Sequence, residues 1–233
     1  MDANDVRRKW EDRSGEFSPE YYAYYGPNEV SESVRRHFER LLDPTDAIVE
    51  LGCGPGRHLS HLHAHGFENL AGVDINADSF EVMADAYPDL AAAGTFYADA
   101  IEDVVTEFDD GEYDASFSIE TLQHIHPDDE WVFEELARCT SDLLITVENE
   151  GRPGSNGGTD SDSGQSHDGS QTDAEVGGSV TGVNDAEYDF PLYYRNWESV
   201  FTQFGFVQVE CERGERDTLR VFRRSEAVST GSE

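Results

Sequence analysis

The sequence predicts an α/β fold: a three-layer sandwich whose seven-stranded, mostly parallel sheet ends in a C-terminal antiparallel hairpin. Three observations predict it. From Ala47 onward, apolar runs of strand length alternate with amphipathic stretches of helix length, the signature of βαβ units. Three closely spaced glycines stand where the first such run meets the first helical stretch. The chain closes on FVQVECERGERDTLRVFRR, two alternating runs joined by a tight Arg-Gly-Glu turn.

Residues 1–42 read as a cap and helix, with an aromatic cluster (Trp10, Phe17, Tyr21, Tyr22, Tyr24, Tyr25) ahead of a helical segment from Glu29 to Leu42. Residues 43–150 read as the core. Its strands are AIVEL, NLAGVDI, GTFYAD, YDASFSIE and SDLLITVEN, and helices are expected over Arg57 to His65, Asp78 to Tyr87 and Pro127 to Cys139. Residues 151–187 contain no aromatic, leucine or lysine and are dominated by Gly, Ser, Asp and Thr. Such a segment cannot offset its ordering entropy by burial, so a disordered acidic insertion is expected. Residues 188–224 then give a helix, YYRNWESVFTQFGF, ending at Gly205, and the hairpin that completes the sheet; 225–233 form a polar, flexible tail.

At 233 residues the chain suffices for one substantial core with decorations. Its 50 acids against 16 bases give a formal charge of -34, and Lys9 is the single lysine. The acids are spread through every region, so the whole surface is acidic. Self-repulsion of that size opposes compaction, but a Debye length of about 3 Å at 1 M salt screens most of it. A halophile's high-salt cytoplasm is the expected home. The charge leaves no basic track for a nucleic-acid backbone. Cys53, Cys139 and Cys211 form no CxxC and fit a reducing interior. The longest apolar stretches are strand-length, so neither a signal peptide nor a membrane span is expected. Nothing in the sequence fixes the oligomeric state.

In the segment Val49-Glu50-Leu51-Gly52-Cys53-Gly54-Pro55-Gly56 the glycines let the backbone turn sharply and lie against a ligand. The spacing is GxGxG, with Arg57 at the final glycine position of a dinucleotide fingerprint, which favours a ligand without pyrophosphate. Asp74, in GVDIN, stands at the end of the second run, where a carboxylate accepts both hydroxyls of a ribose. Asp99, in YADAIED, ends the third and is placed to accept from an exocyclic amine. Glu50, Asp74 and Asp99 are thus acids at three successive strand ends.

Taken in order, ELGCGPGRH, GVDIN, ADAIED and SIETLQHIHPDD resemble the successive motifs of class I S-adenosylmethionine-dependent methyltransferases, over about Glu29 to Asn149. The resemblance implies a Rossmann-like core and S-adenosylmethionine as cofactor. It also implies that Glu50 orients the methionine amino group, Gly52, Gly54 and Gly56 pass beneath the cofactor, and Asp74 holds the ribose. Asp99 would receive the adenine amine, with the backbone of Ala100 near the ring.

A sulfonium methyl is already activated, so in-line transfer needs a nucleophile held about 3 Å away in a site that excludes water. For a hydroxyl or amine acceptor a base helps, and the loop after the fourth strand, Glu120 to His126, is where one would sit. His124 is the candidate; packing against the cofactor or the next helix is the competing reading. Glu120 is a candidate wall of the cofactor pocket. The tyrosines from Tyr21 to Tyr25, with Tyr193, Tyr194 and Trp197, are candidates for a lid over the acceptor, Tyr21, Tyr25 and Tyr194 foremost, against plain packing of cap on core. His58, His61 and His65 share a helix face, but no carboxylate or cysteine completes a set, so no metal site is expected. The leading reading is methyl transfer to a small molecule. SIETL is not the Asp/Asn-Pro-Pro-aromatic signature of base-methylating enzymes. The alternatives are an NAD(P)-dependent oxidoreductase, which the GxGxG spacing disfavours, and a non-catalytic S-adenosylmethionine-binding protein.

Overall fold

The computed structural model describes residues 1–151, 178–184 and 190–225. A seven-stranded sheet is built from β1 (Ala47–Leu51), β2 (Asn69–Asp74), β3 (Thr95–Ala98), β4 (Tyr113–Ile119), β5 (Thr140–Asn149), β8 (Phe206–Arg213) and β9 (Asp217–Arg224), in the order β3-β2-β1-β4-β5-β9-β8. The first five strands pair in parallel, and the β8–β9 hairpin joins β5 antiparallel. This is the mostly parallel sheet and closing hairpin that the sequence predicts.

Alternation along the strands makes the three layers. On β1, Ile48 faces one core and Val49 and Leu51 the other; on β5, Leu143 and Ile145 oppose Leu144 in the same way. One face is covered by α3 (Glu29–Leu41), α4 (Arg57–Ala64), α5 (Asp78–Ala86) and α6 (Pro88–Ala93), which supply Phe38, Leu59, Leu62, Met83 and Leu90. The other is covered by α7 (Ile101–Val104), α8 (Val132–Cys139) and α9 (Trp197–Thr202), which supply Val104, Phe133, Leu136, Trp197 and Phe201. The helix over Glu29–Leu41 starts where it does because the Asn28 side chain takes the Val30 and Ser31 amides while Ser31 Oγ takes the Asn28 amide.

Two helical expectations change. Pro127–Asp129 is a separate 3-10 turn and α8 begins only at Val132. Tyr193 and Tyr194 lie in a strand, β7 (Leu192–Arg195), and the helix after it starts at Trp197 because Asn196 Oδ1 caps the Ser199 amide at 3.2 Å. The partner of β7 is β6 (Val180–Asn184), inside the segment 151–187 for which composition predicts disorder. A strand forms there because its partner comes from outside the segment and because the Glu130 carboxylate accepts from Ser179 N and Oγ, both at 2.9 Å. Residues 152–177 and 185–187 of the expected insertion, and 226–233 of the expected tail, lie outside the described residues.

Strand order reverses between β1 and β4, since the chain builds β2 and β3 on one side of β1 and then crosses to the other. At such a switch point the loops leaving the carboxyl ends diverge and open a crevice. Over it lies the N-terminal cap, α1 (Ala3–Glu11) and α2 (Pro19–Tyr25). Arg7 of α1 is tied down by Glu102 at 2.9 Å and Asp129 at 2.7 Å.

The post-β4 loop is held from below by one carboxylate. Fully buried Glu148 of β5 accepts from Ser118 Oγ at 2.7 Å and from the amides of Thr121, Leu122 and Gln123 at 3.1 to 3.3 Å. Burial raises its carboxyl to about 7, although those donors pull it down. In the unfolded chain a glutamate titrates near about 4.3, so folding takes up a proton between that value and 7, and stability falls as pH rises across this window. Urea unfolding at fixed salt is expected to show wild type losing about 3 kcal/mol relative to Glu148→Gln between pH 4.5 and 7.5, on top of a constant offset from the lost acceptor. A pH-independent difference would contradict the account.

Candidate active site

The glycine turn is fixed from both sides. Gly52, Gly54 and Gly56 all have left-handed φ, at 72°, 52° and 77°. The amides of Gly52 and Cys53 donate to Val73 O at 2.8 and 3.0 Å, stitching the turn to the end of β2. A Cβ on Gly52 would lie 2.2 Å from Thr121 Oγ1, so the post-β4 loop crosses directly against it. Gly56 serves packing: a Cβ there would meet Met83 and Leu90 at 2.8 and 2.9 Å.

Asp74 closes the turn electrostatically. Its Oδ2 accepts from Gly54 N at 2.7 Å, and its Oδ1 from Asn76 N at 2.9 Å and Ser79 Oγ at 3.2 Å. Burial raises its pKa, and these donors offset the rise. Of roughly four lone-pair sites on a carboxylate, three are used, and one on Oδ2 remains for a ligand. Glu50 sits 1 % exposed at the same strand ends, with Oε2 buried and unpartnered. Burial pushes its carboxyl well above the usual range, Arg57 pulls it down and Asp74 pushes it up.

Gly52, Gly54 and Asp74 line a cavity of about 150 Å³ beneath the cap. Its floor is Gly52 to Pro55, Asp74 to Asn76, Ala100 to Glu102 and the loop from Ile119 to Ile125; its roof is Val6, Arg7, Trp10, Arg13, Phe17, Pro19 and Tyr22. Of the residues singled out by sequence, Gly52, Gly54, Asp74, Ala100, Glu120 and His124 line it. Glu50 lies beneath the floor, and Gly56 faces the core.

Asp99 is not brought in. It is exposed, and its Oδ1 accepts from the Ala100 amide at 2.8 Å; Glu102, two residues after Ala100, reaches the wall. Tyr21 and Tyr25 pack on each other with rings tilted at 60° and centroids 4.9 Å apart, outside the cavity lining, and Tyr194 packs against the backbone at Gly151 and Gly182. Tyr22, between them in sequence, is the tyrosine in the roof, with Arg57 over its ring at 4.8 Å. Burial raises its phenol to about 12.

His124 is buried between Trp10 and Phe190, at ring distances of 4.8 and 5.0 Å, with Nδ1 3.3 Å from Pro191 O. Burial drops its pKa to about 3, which makes it a neutral packing imidazole of low basicity and a poor match to general-base work near neutral pH. Glu120 follows β4 with φ of 55°, a conformation rare outside glycine, and pairs with Arg216 at 3.2 Å. His58, His61 and His65 go separate ways, to Ser31 at 2.7 Å, Glu32 at 3.1 Å and His61 O at 2.7 Å. A different trio with metal-ligand chemistry, His37, Glu210 and Glu212, is crossed by Arg40, which bonds both His37 and Glu210. Among the described residues no helix is long and apolar enough to cross a membrane.

Sequence reasoning missed Arg7, Arg13, Arg57 and Glu102 in the wall. The available signal was the scarcity of bases: four of the sixteen, Arg7, Arg8, Lys9 and Arg13, fall within the first thirteen residues, close to the cap aromatics.

Residues 48–142 match the family model of a methyltransferase domain. No curated protein shows a significant match in sequence. Magnesium protoporphyrin IX methyltransferase from Synechocystis PCC 6803, solved with bound S-adenosylhomocysteine, aligns over 96% of this chain and 100% of its own, with a TM-score of 0.64 at 14% identity. Geranyl diphosphate C-methyltransferase from Streptomyces coelicolor A3(2) aligns over 95% and 98%, with a TM-score of 0.62 at 13% identity. The 1,6-didemethyltoxoflavin-N1-methyltransferase of Burkholderia thailandensis aligns over 96% and 84%, with a TM-score of 0.59 at 14% identity. At such identities the likeness is one of fold, and the family match places a methyltransferase domain over residues 48–142.

Proposed function

We propose that the protein transfers a methyl group from S-adenosylmethionine to a small-molecule acceptor by in-line displacement. The observation that carries this reading is the pairing of two unfilled acceptor positions at successive strand ends: Glu50 Oε2, buried without a partner, and the remaining lone pair of Asp74 Oδ2. An α-ammonium fits the first and a ribose hydroxyl the second. Arg57 stands next to Glu50 and fits the α-carboxylate of the same amino-acid group. Ala100 and Ile101 offer an apolar wall for a purine ring. Two of the fold neighbours were solved with S-adenosylhomocysteine and a second small molecule bound, 1,6-didemethyltoxoflavin in one and geranyl diphosphate in the other.

The cofactor supplies an activated methyl on sulfur. The chain's task is to bind, orient and dry the site. Glu50 anchors one end and Asp74 the other, the glycine turn lets the backbone lie close between them, and the cap excludes water. With His124 neutral and buried, Glu120 is the ionisable side chain of the post-β4 loop that reaches the cavity. The acidic surface supports work in a high-salt interior.

Calorimetry at high salt is expected to show S-adenosylhomocysteine binding, weakened about ten- to hundredfold by Asp74→Asn, the cost of about 1.5 to 3 kcal/mol for a hydrogen bond to a charged group. Binding of NADH with no binding of S-adenosylhomocysteine to folded protein would overturn the reading. Glu50 has a raised pKa when its Oε2 is unpartnered and must ionise against an ammonium. Binding is therefore expected to release a proton, seen as a dependence of the measured heat on buffer ionisation, and affinity rises with pH until Glu50 is ionised in the free protein. Glu50→Gln should abolish the release.

A further inference from the structure

Arg57 lines the cavity with its guanidinium over the Tyr22 ring at 4.8 Å. Among the described residues it pairs with no acid at ion-pair distance, and its one hydrogen bond runs from Nε to His58 Nε2 at 3.1 Å. The Nη donors are thus kept for an incoming anion.

His58 is what holds the guanidinium there. A guanidinium nitrogen only donates, so His58 Nε2 accepts and carries no proton; the ring proton is then on Nδ1, 2.7 Å from Ser31 Oγ. Ser31 Oγ donates in turn to Asn28 Oδ1 at 3.2 Å and accepts from the Asn28 amide at 3.0 Å. Donors therefore point one way along the series Arg57, His58, Ser31, Asn28, from the cavity wall back to the capping box that starts α3. Burial pushes the His58 pKa well below the usual range, and the charge of Arg57 pushes it the same way. The ring stays neutral, and its acceptor stays turned to Arg57.

We propose that His58 is a positioning residue, whose Nε2 fixes the Arg57 guanidinium for the α-carboxylate of S-adenosylmethionine while Ser31 of α3 sets the tautomer from behind. The inference rests on the methyltransferase reading and concerns the cofactor end of the same site. An arginine side chain loses much rotamer freedom when it is ordered, and one ordered before the ligand arrives spares binding that loss. A histidine that only fastened α4 to α3 would depend on its Ser31 bond alone. The two bonds are separable by substitution, because an asparagine amide reaches about as far as Nδ1 and a glutamine amide about as far as Nε2.

The test compares S-adenosylhomocysteine with decarboxylated S-adenosylhomocysteine, which keeps the adenosine, thioether and amine, by calorimetry at fixed high salt. Wild type is expected to favour the carboxylate-bearing ligand by about tenfold or more. His58→Asn should weaken that ligand about five- to tenfold and the decarboxylated one less than about twofold, His58→Gln should recover most of the loss, and in an Arg57→Met background His58→Asn should add nothing further. On wild type, ring-nitrogen NMR should show an unprotonated Nε2 whose resonance moves in Arg57→Met. The inference is overturned if the carboxylate brings no preference, if His58→Asn weakens both ligands alike or neither, or if His58→Gln is as poor as His58→Asn. A protonated Nε2 overturns it even where His58→Asn does not fold. Wild type that binds neither ligand sinks the methyltransferase reading and this inference with it, whereas S-adenosylhomocysteine binding indifferent to His58 sinks the inference alone.

Discussion

The hydrogen bond from the Gly54 amide to the Asp74 carboxylate ties the turn after β1 to the end of β2, and the site depends on it. With the Val73 carbonyl accepting from Gly52 and Cys53, it holds the glycine turn open at the carboxyl edge of the sheet. The other wall is set by an equivalent device: Glu148, buried on β5, gathers three successive amides of the post-β4 loop and presses Thr121 against Gly52. Two carboxylates, each accepting from backbone amides and a serine hydroxyl, shape the crevice. A third, Glu50, is left with an unmet oxygen, the asymmetry expected of a group reserved for a ligand.

The cap turns this crevice into a cavity. Its first helix is nearly all polar, with Val6 as its one buried residue, so docking relies on Arg7 and on the aromatic contacts of Trp10 and Phe17.

The core was legible because its signals are local. Alternating periods place the strands, and GxGxG followed by Asp74 marks the turn and its partner by spacing alone. Asp99 stays exposed outside the cavity lining, since strand-end position says nothing of side-chain direction, and its carboxylate accepts from the amide of Ala100 at the start of a short helix. The seven-residue helix α2 carries four tyrosines, so its aromatic pattern does not fix which face turns inward, and Tyr22 rather than Tyr21 or Tyr25 reaches the cavity. His124 looked like a base because its burial depends on Phe190 and Pro191, more than sixty residues away. Tyr193 and Tyr194 lie in a strand that local sequence does not announce, because its partner sits in a segment whose composition predicts none.

A crystal structure of the protein with S-adenosylhomocysteine tests the central claim most directly. The account predicts the α-ammonium on Glu50 Oε2, a ribose hydroxyl on Asp74 Oδ2 and the purine beside Ala100 and Ile101, beneath a cap still pinned by Arg7. A ligand seated elsewhere, or one that leaves Glu50 Oε2 without a partner, would contradict it.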